Sequence, residues 1–190
     1  MNQSFIEDET FKGINFKESP LQKATYESCT FNNCDFYNAN FSGFQFEECE
    51  FIDCNFSSAN LYETLFQDVL FQDCKMLGLQ FEKCNAFGFT VTFINCQLNH
   101  SSFYEVKLNK TKFENCKIHE VDFTATNLTE ASFDNCDFLN AKFENTILEK
   151  ADFRSSYNYT MNPEMNKIKG AKFSLNEVVG LLSQYQIKIE

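Results

Sequence analysis

The sequence predicts an all-β, four-sided coil, and three observations carry that prediction. A bulky apolar residue recurs every five positions, a small residue sits two before it, and a slower repeat of twenty runs beneath both. Internal periodicity comes first because it decides the whole architecture. From Phe11 the bulky centres fall at Phe16, Leu21, Tyr26, Phe31, Phe36, Phe41, Phe46, Phe51, Phe56, Leu61, Phe66, Phe71, Met76, Phe81 and Ala86. The register then slips by two residues within Phe87-Gly88-Phe89-Thr90 and resumes at Phe93, running in fives to Phe153. Of 29 centres only Ala86 is not bulky. Neither a 3.6-residue helix nor a period-two strand generates this spacing.

The position two before each centre is small or β-branched, as at Ala24, Cys29, Cys34, Ala39, Cys49, Cys54, Ala59 and Thr64. The other three positions are mostly polar. Two residues in five therefore face inward and three face solvent. The slower period appears in Cys34, Cys54, Cys74, Cys96, Cys116 and Cys136, each preceded by Asn or Asp. Phe11, Phe31, Phe51, Phe71, Phe93, Phe113, Phe133 and Phe153 share it. Five residues per side and twenty per turn make four sides, with like side chains stacked at about 4.8 Å, the spacing of paired strands.

The triplets Ala39-Asn40-Phe41, Ala59-Asn60-Leu61, Ala141-Lys142-Phe143 and Ala151-Asp152-Phe153 resemble the A(D/N)LXX motif of pentapeptide-repeat proteins. The resemblance covers about residues 9–157. It implies a right-handed quadrilateral parallel β-helix, the handedness coming from the family alone. The resulting division is residues 1–10 as an N-terminal cap or arm, 11–158 as the coil with its slip near 87–90, and 159–190 as an irregular last turn, an α-helix and a short strand.

Composition narrows the function. No apolar run approaches the roughly 18–20 residues that cross a bilayer. No basic segment followed by an apolar stretch opens the chain, so the reading is cytoplasmic. The net charge of −11 argues against nucleic acid or an anionic membrane as direct partner. The nine cysteines lie two before a centre, counting Cys84 before Ala86, so all are expected in the core as small hydrophobes. A straight column cannot converge four sulfurs on one metal ion. On this reading a hydroxyl at Cys74 would be buried with few partners. His100 and His119 sit at outward positions and read as surface residues. No nucleophile elbow, phosphate loop or metal-binding helix motif occurs, and a stacked Phe core leaves no cleft, so no catalytic residue, metal or cofactor is expected.

At the C-terminus, Ser174-Leu175-Asn176-Glu177 has the form of a capping box, followed by Leu175, Val178, Val179, Leu182 and Tyr185 at helical spacing. Gln186 to Glu190 alternates like a strand, with Ile187 and Ile189 on one side. A solenoid end needs covering, so this module is either a simple cap or a two-fold dimer contact. The segment from Asn162–Ile168 through Leu182, with Ile187-Lys188-Ile189, resembles the C-terminal end of the quinolone-resistance (Qnr) and topoisomerase-poison immunity branch, which implies end-to-end homodimers. The long loops of some members are missing.

Between Lys23 and Lys75 lie nine acidic residues and no basic one. Glu47, Glu48, Glu50, Asp53, Asp68 and Asp73 are expected together on adjoining faces. Solvation alone accounts for such a surface, and so does docking to a basic partner. Counted with the C-terminal resemblance, the patch points to a DNA-mimicking partner of DNA gyrase or topoisomerase IV. A non-catalytic interaction scaffold is the alternative.

Overall fold

Twenty residues separate each strand from its neighbour, except for one step of 22, in the computed structural model, which describes residues 4–189. β1 (Ser4–Glu7), β3 (Ala24–Glu27), β5 (Gln45–Glu47) and β7 (Leu65–Gln67) form one parallel sheet. The second sheet orders β2 (Thr10–Lys12), β4 (Thr30–Asn32), β6 (Glu50–Ile52), β8 (Val69–Gln72), β9 (Val91–Ile94), β10 (Lys112–Glu114) and β11 (Ser132–Asp134). Its register pairs Phe11 with Phe31, Phe31 with Phe51 and Phe51 with Phe71, then jumps 22 residues to Phe93. The remaining two sides are held by isolated parallel bridges, such as Asn15 to Asp35 to Asn55 to Lys75 and Gln80 to Ser102 to Asp122. Four bridged columns per twenty residues make the four-sided parallel β-solenoid that the repeat predicts.

Most corners are turned by a residue in the left-handed region two positions after a centre. Asn33, Asp53, Asp73, Asn95, Asn115 and Asn135 all have φ between 51° and 55°. Asn and Asp tolerate this conformation better than most residues, which explains their place before each Cys of the twenty-residue column. The amides also bond along the axis: Asn95 Nδ2 donates to Asp73 at 2.8 Å, Asn115 to Asn95 at 3.1 Å and Asn135 to Asn115 at 2.8 Å.

Inside, the Phe centres of the second sheet form an unbroken stack from Phe11 to Phe173. Neighbouring ring centroids lie 4.6 to 5.5 Å apart. Rings from adjoining sides meet edge-on, as Phe46 does Phe51 at 77°. Both arrangements suit the aromatic quadrupole and add about 0.5–1.5 kcal/mol per pair beyond burial.

The small inward position has a second duty. Cys74 Sγ donates toward the Phe51 carbonyl, 23 residues earlier, at 3.3 Å, and Cys54 and Cys96 do the same to Phe31 and Phe71. Thr64, Thr126 and Thr146 hydroxyls make the equivalent bond at 2.7 to 2.8 Å, and Ser101 and Ser156 at 2.9 and 3.0 Å. A hydroxyl at Cys74 therefore has a ready acceptor, contrary to the expectation of few partners. Cys49 is fully buried, and burial pushes its thiol up to about 12.

Four regions differ from the sequence reading. The N-terminal segment joins the coil: β1 pairs with β3, Ser4 opposite Ala24, and Ile6 packs against the core as a centre five before Phe11. Residues 1–3 lie outside the described residues. At the slip, Ala86 is exposed, and Phe89 turns partly inward against Phe66 and Phe81 instead. Cys84, just before the slip, is only partly buried, while the other eight cysteines are buried and all nine are free thiols. The two inserted residues also open a groove of about 590 Å³, where an uninterrupted Phe core would leave none.

The C-terminal α-helix is replaced by two short 3-10 turns, Val178–Leu181 and Ser183–Tyr185. Half of the expected capping box forms, with Glu177 N–H donating to Ser174 Oγ at 3.2 Å. The Glu177 carboxylate instead accepts from the Asn158 N–H at 3.1 Å, tying the segment to the last coil rather than to its own first turn. Gly180 lies so close to Tyr159 that a Cβ would meet its carbonyl oxygen at 1.9 Å, and Leu181 is buried. Packing onto the coil end thus overrides the helical pattern. Residues 186–189 form no strand, because no neighbouring strand edge pairs with them; Glu190 lies outside the described residues.

Candidate functional site

The most sharply defined surface feature follows from the corner between the two sheets. That corner is occupied in successive coils by Asp8, Ser28, Glu48 and Asp68, each in the left-handed conformation. Beside it, strand pairing stacks Glu7 on Glu27 and Glu27 on Glu47. Glu50 leads into β6 on the second sheet, and Asp53 and Asp73 hold the far corner of that sheet. Glu48, Glu50, Asp53, Asp68 and Asp73 are exposed and Glu47 is half-buried. The six acidic residues singled out in the sequence therefore occupy the second sheet, its two flanking corners and the adjoining edge of the first.

The sequence reading missed Glu7, Asp8 and Glu9, which continue the same surface. The step of twenty from Glu27 and Ser28 back to Glu7 and Asp8 carries the signal, which the expectation of a cap over residues 1–10 passes over. Repulsion is felt within the stack. Local desolvation, then the carboxylates of Glu7, Glu47, Glu48 and Asp8, pushes the Glu27 carboxyl above the usual range.

Residues 4–80 hold 13 acidic and 4 basic side chains, a net of −9, and residues 81–190 hold 14 and 12, a net of −2. Among the described residues every salt bridge lies beyond residue 99. The acidic coils carry none.

The histidines belong to the mixed half. His119 Nε2 lies 2.7 Å from Asp137 Oδ2, and His100 Nδ1 lies 3.3 Å from Glu120. Burial pushes the Asp137 carboxyl up, but hydrogen bonds from Asn158 and His119 outweigh it and hold it below the ordinary range. Among the described residues, no group of three or more His, Cys, Asp or Glu is placed to hold a metal ion. Among the same residues no helix is long and apolar enough to cross a membrane.

At the C-terminal end Leu175 is 88% exposed, and Val179, Tyr185, Ile187 and Ile189 are also exposed. Val178 packs partly against the core and Leu182 is half-buried. The seven apolar residues expected to mediate dimerisation thus divide into five that face outward and two that serve the cap.

A four-sided coil with two inward residues in five and three facing solvent defines a class of repeat protein. The family model described as pentapeptide repeat region matches residues 24–87 and 88–177, and the chain belongs to that family. No curated protein matches the chain. Among solved structures, a trypsin-treated variant of QnrB1, described as a plasmid-mediated fluoroquinolone resistance protein, is 17% identical. It superposes with a TM-score of 0.62, covering 100% of this chain and 95% of that one. HetL, a pentapeptide-repeat protein involved in heterocyst differentiation regulation in the cyanobacterium Nostoc sp. strain PCC 7120, is 12% identical. Its TM-score is 0.48, with 92% and 89% covered. At 17% identity the likeness to QnrB1 is one of fold.

Proposed function

We propose that the protein is a non-catalytic DNA mimic whose acidic coils occupy the DNA-binding surface of a type II topoisomerase, DNA gyrase or topoisomerase IV. In this role it modulates the enzyme or protects it from quinolone-like or peptide poisons. The observation that carries this reading is the segregation of charge. The first four coils rise about 19 Å at the strand spacing, and B-DNA carries about 11 charges over that length. A net of −9 in those coils comes close to that density, whereas −11 spread over the whole rod would fall near half of it. The site is Glu47, Glu48, Glu50, Asp53, Asp68 and Asp73, extended by Glu7, Asp8 and Glu27. QnrB1 is described as a fluoroquinolone resistance protein, and this chain shares its fold.

The exposed apolar residues Leu175, Val179, Tyr185, Ile187 and Ile189 support a homodimer through the C-terminal ends. Side chains of this kind, clustered at one end, are what an isologous contact buries.

The decisive experiment is supercoiling by purified gyrase, with and without a poison, titrated with this protein. Reversing Glu47, Glu48, Glu50 and Asp53 to Lys should abolish the effect while thermal unfolding stays nearly unchanged, since surface changes usually cost within about 0.5 kcal/mol each. Reversing Glu144 and Glu149 should do much less. Binding should weaken as salt rises above about 0.1 M. A wild-type protein that neither binds gyrase at low salt nor alters its activity would leave an interaction scaffold with another partner. A reversed patch that binds equally well would move the site elsewhere on the rod.

A further inference from the structure

We propose that the acidic site has an apolar centre, Ile52, Leu70 and Ile94, through which it docks on a protein surface that sets an aliphatic or aromatic side chain among lysines and arginines. The proposal deepens the topoisomerase reading and rests on it. All three residues take outward positions on the second sheet and are half-buried. Strand register ties them together. Ile52 pairs with Gln72 and Gln72 with Ile94, while Leu70 lies between Glu50 and Thr92 in the neighbouring column. Leu70 is therefore diagonal to both isoleucines at about 8 Å, within reach of long side chains across a sheet.

Four of the six candidate acidic residues ring this centre. Glu50 pairs with Leu70 in its own column, and Asp68 holds the corner two residues before Leu70. Asp53 follows Ile52 and Asp73 follows Gln72 at the opposite corner. None of the four meets a basic side chain among the described residues. Single aliphatic residues on a surface are ordinary. Here three adjoin, whereas the equivalent outward positions of the later coils hold Lys112, Glu114, Ser132 and Asp134. Strand propensity does not demand them, since Thr30 and Thr92 occupy the same column as Leu70.

An apolar centre within a charged rim is the layout of a protein interface, whose middle is poor in charge and whose rim stays wet. A partner side chain seated on Ile52, Leu70 and Ile94 excludes water from the carboxylates around it, which strengthens their pairing with the partner's cations. The aliphatic residues thus supply contact that salt does not screen, and the carboxylates supply the part that it does. A surface that reads phosphate charge alone gains nothing from such a centre. A second copy of this chain is a poor occupant, because its ring would set carboxylate against carboxylate.

The test measures the affinity of purified gyrase for the full chain at about 0.05 M and about 0.3 M potassium chloride, on either side of the range where surface charge is screened. Ile52→Thr, Leu70→Thr and Ile94→Thr combined should weaken binding at least about tenfold at both salt levels, as truncation of central contact residues does. Glu50→Lys with Asp53→Lys should cost most at low salt. Leu139→Thr with Ile147→Thr, outward aliphatic positions of the later coils, should change neither. Nuclear magnetic resonance of the unaltered protein gives a second measurement that needs no variant to fold. The methyl signals of Ile52, Leu70 and Ile94 should shift or broaden when gyrase is added, and those of Leu139 and Ile147 should not. Wild type that does not bind gyrase at low salt would overturn the topoisomerase reading and this proposal with it. Wild type that binds, with the threonine variant binding as tightly or the three methyl signals unmoved, would overturn the apolar centre and leave the docking reading standing. A loss confined to low salt would overturn it too, since apolar contact is not screened.

Discussion

The corner between the two sheets is built twice on one backbone. In the first coils it carries Asp8, Ser28, Glu48 and Asp68, and in the later coils Lys110, Glu130 and Lys150, all at φ between 52° and 62°. Lys150 Nζ lies 3.0 Å from Glu130 and Lys110 3.9 Å from it, so charges alternate and pair. In the acidic half like charges stack at about 4.8 Å with no cation between them. The next corner repeats the contrast: Asn95, Asn115 and Asn135 bond to one another, while Asp53 and Asp73 are carboxylates that can only accept. The coil demands a left-handed residue at these points and is indifferent to its sign. Exposed pairs are worth about 0–1 kcal/mol each, so little stability is lost by omitting them. Fold and surface are thus written in different positions of the same five-residue unit.

The sharpest break of that view would be a difference between the two cores. Phe51 stacks between Phe31 and Phe71, and Phe133 between Phe113 and Phe153, both essentially without exposure. Phe51→Ala and Phe133→Ala should each cost about 3–5 kcal/mol, measured by urea unfolding. Equal costs keep core and charge independent. A cost at Phe51 smaller by several kcal/mol would mean that the acidic surface already strains its coils.

A lesser loss is expected where the later half closes. Gly180→Ala sets a methyl against the Tyr159 carbonyl and should cost about 1–3 kcal/mol by overpacking. Hydrogen exchange should show the loss at residues 159–185 and leave coils 4–80 unchanged, because each coil contacts only its neighbours.

These elements also show what was legible in the sequence. The centres, the small inward positions and the twenty-residue columns were, because each coil repeats one steric rule. The acidic residues were legible as a cluster, but the extension through Glu7 and Asp8 was lost by reading the chain start as a cap. The slip was visible as a change of register, yet which residue would fill the vacated place was not. Phe89 wins over Ala86 by burying more apolar area, a choice made by three-dimensional packing. The C-terminal helix failed for a related reason. Leu175, Val178, Val179 and Leu182 match a helical period, but Gly180 against Tyr159 and Glu177 against Asn158 are long-range contacts to the coil end.

Charge gives a smaller and oppositely signed pair of effects. Glu27 is raised, so the folded state holds its proton more tightly than the unfolded state does. Its contribution therefore improves as pH falls through the folded value toward about 4.5 and worsens as pH rises. Asp152 is held down to about 2, first by the Arg154 hydrogen bond and against desolvation, so it stabilises at neutral pH and that stability is lost as pH falls from about 4 toward 2. Glu27→Gln should raise the melting temperature at pH 7 and leave it unchanged near pH 3. Asp152→Asn should lower it at pH 7 and make no difference near pH 1. The same sign for both substitutions at pH 7 would remove the electrostatic contrast between the halves.

The smallest expected difference concerns the cysteine column. Cys74 lies among the acidic coils and Cys116 among the mixed ones, both about 1% exposed, each with its sulfur toward the carbonyl of the Phe 23 residues earlier, at 3.3 and 3.6 Å. Replacing sulfur by oxygen gives up some apolar burial and shortens the side chain. It also gains a stronger donor at a place where Ser101 and Ser156 already bond at 2.9 and 3.0 Å. The two effects offset, so Cys74→Ser and Cys116→Ser should each cost less than about 1 kcal/mol. Cys74→Val keeps the burial but loses the donor and adds bulk, and should cost more than Cys74→Ser. Urea midpoints of the three variants decide the matter. A serine cost of 2 kcal/mol or more would mean that sulfur volume, not the bond to the coil below, selects this position. A serine cost that differs between the two sites would show the surface charge reaching the core, where the corner comparison holds that it does not.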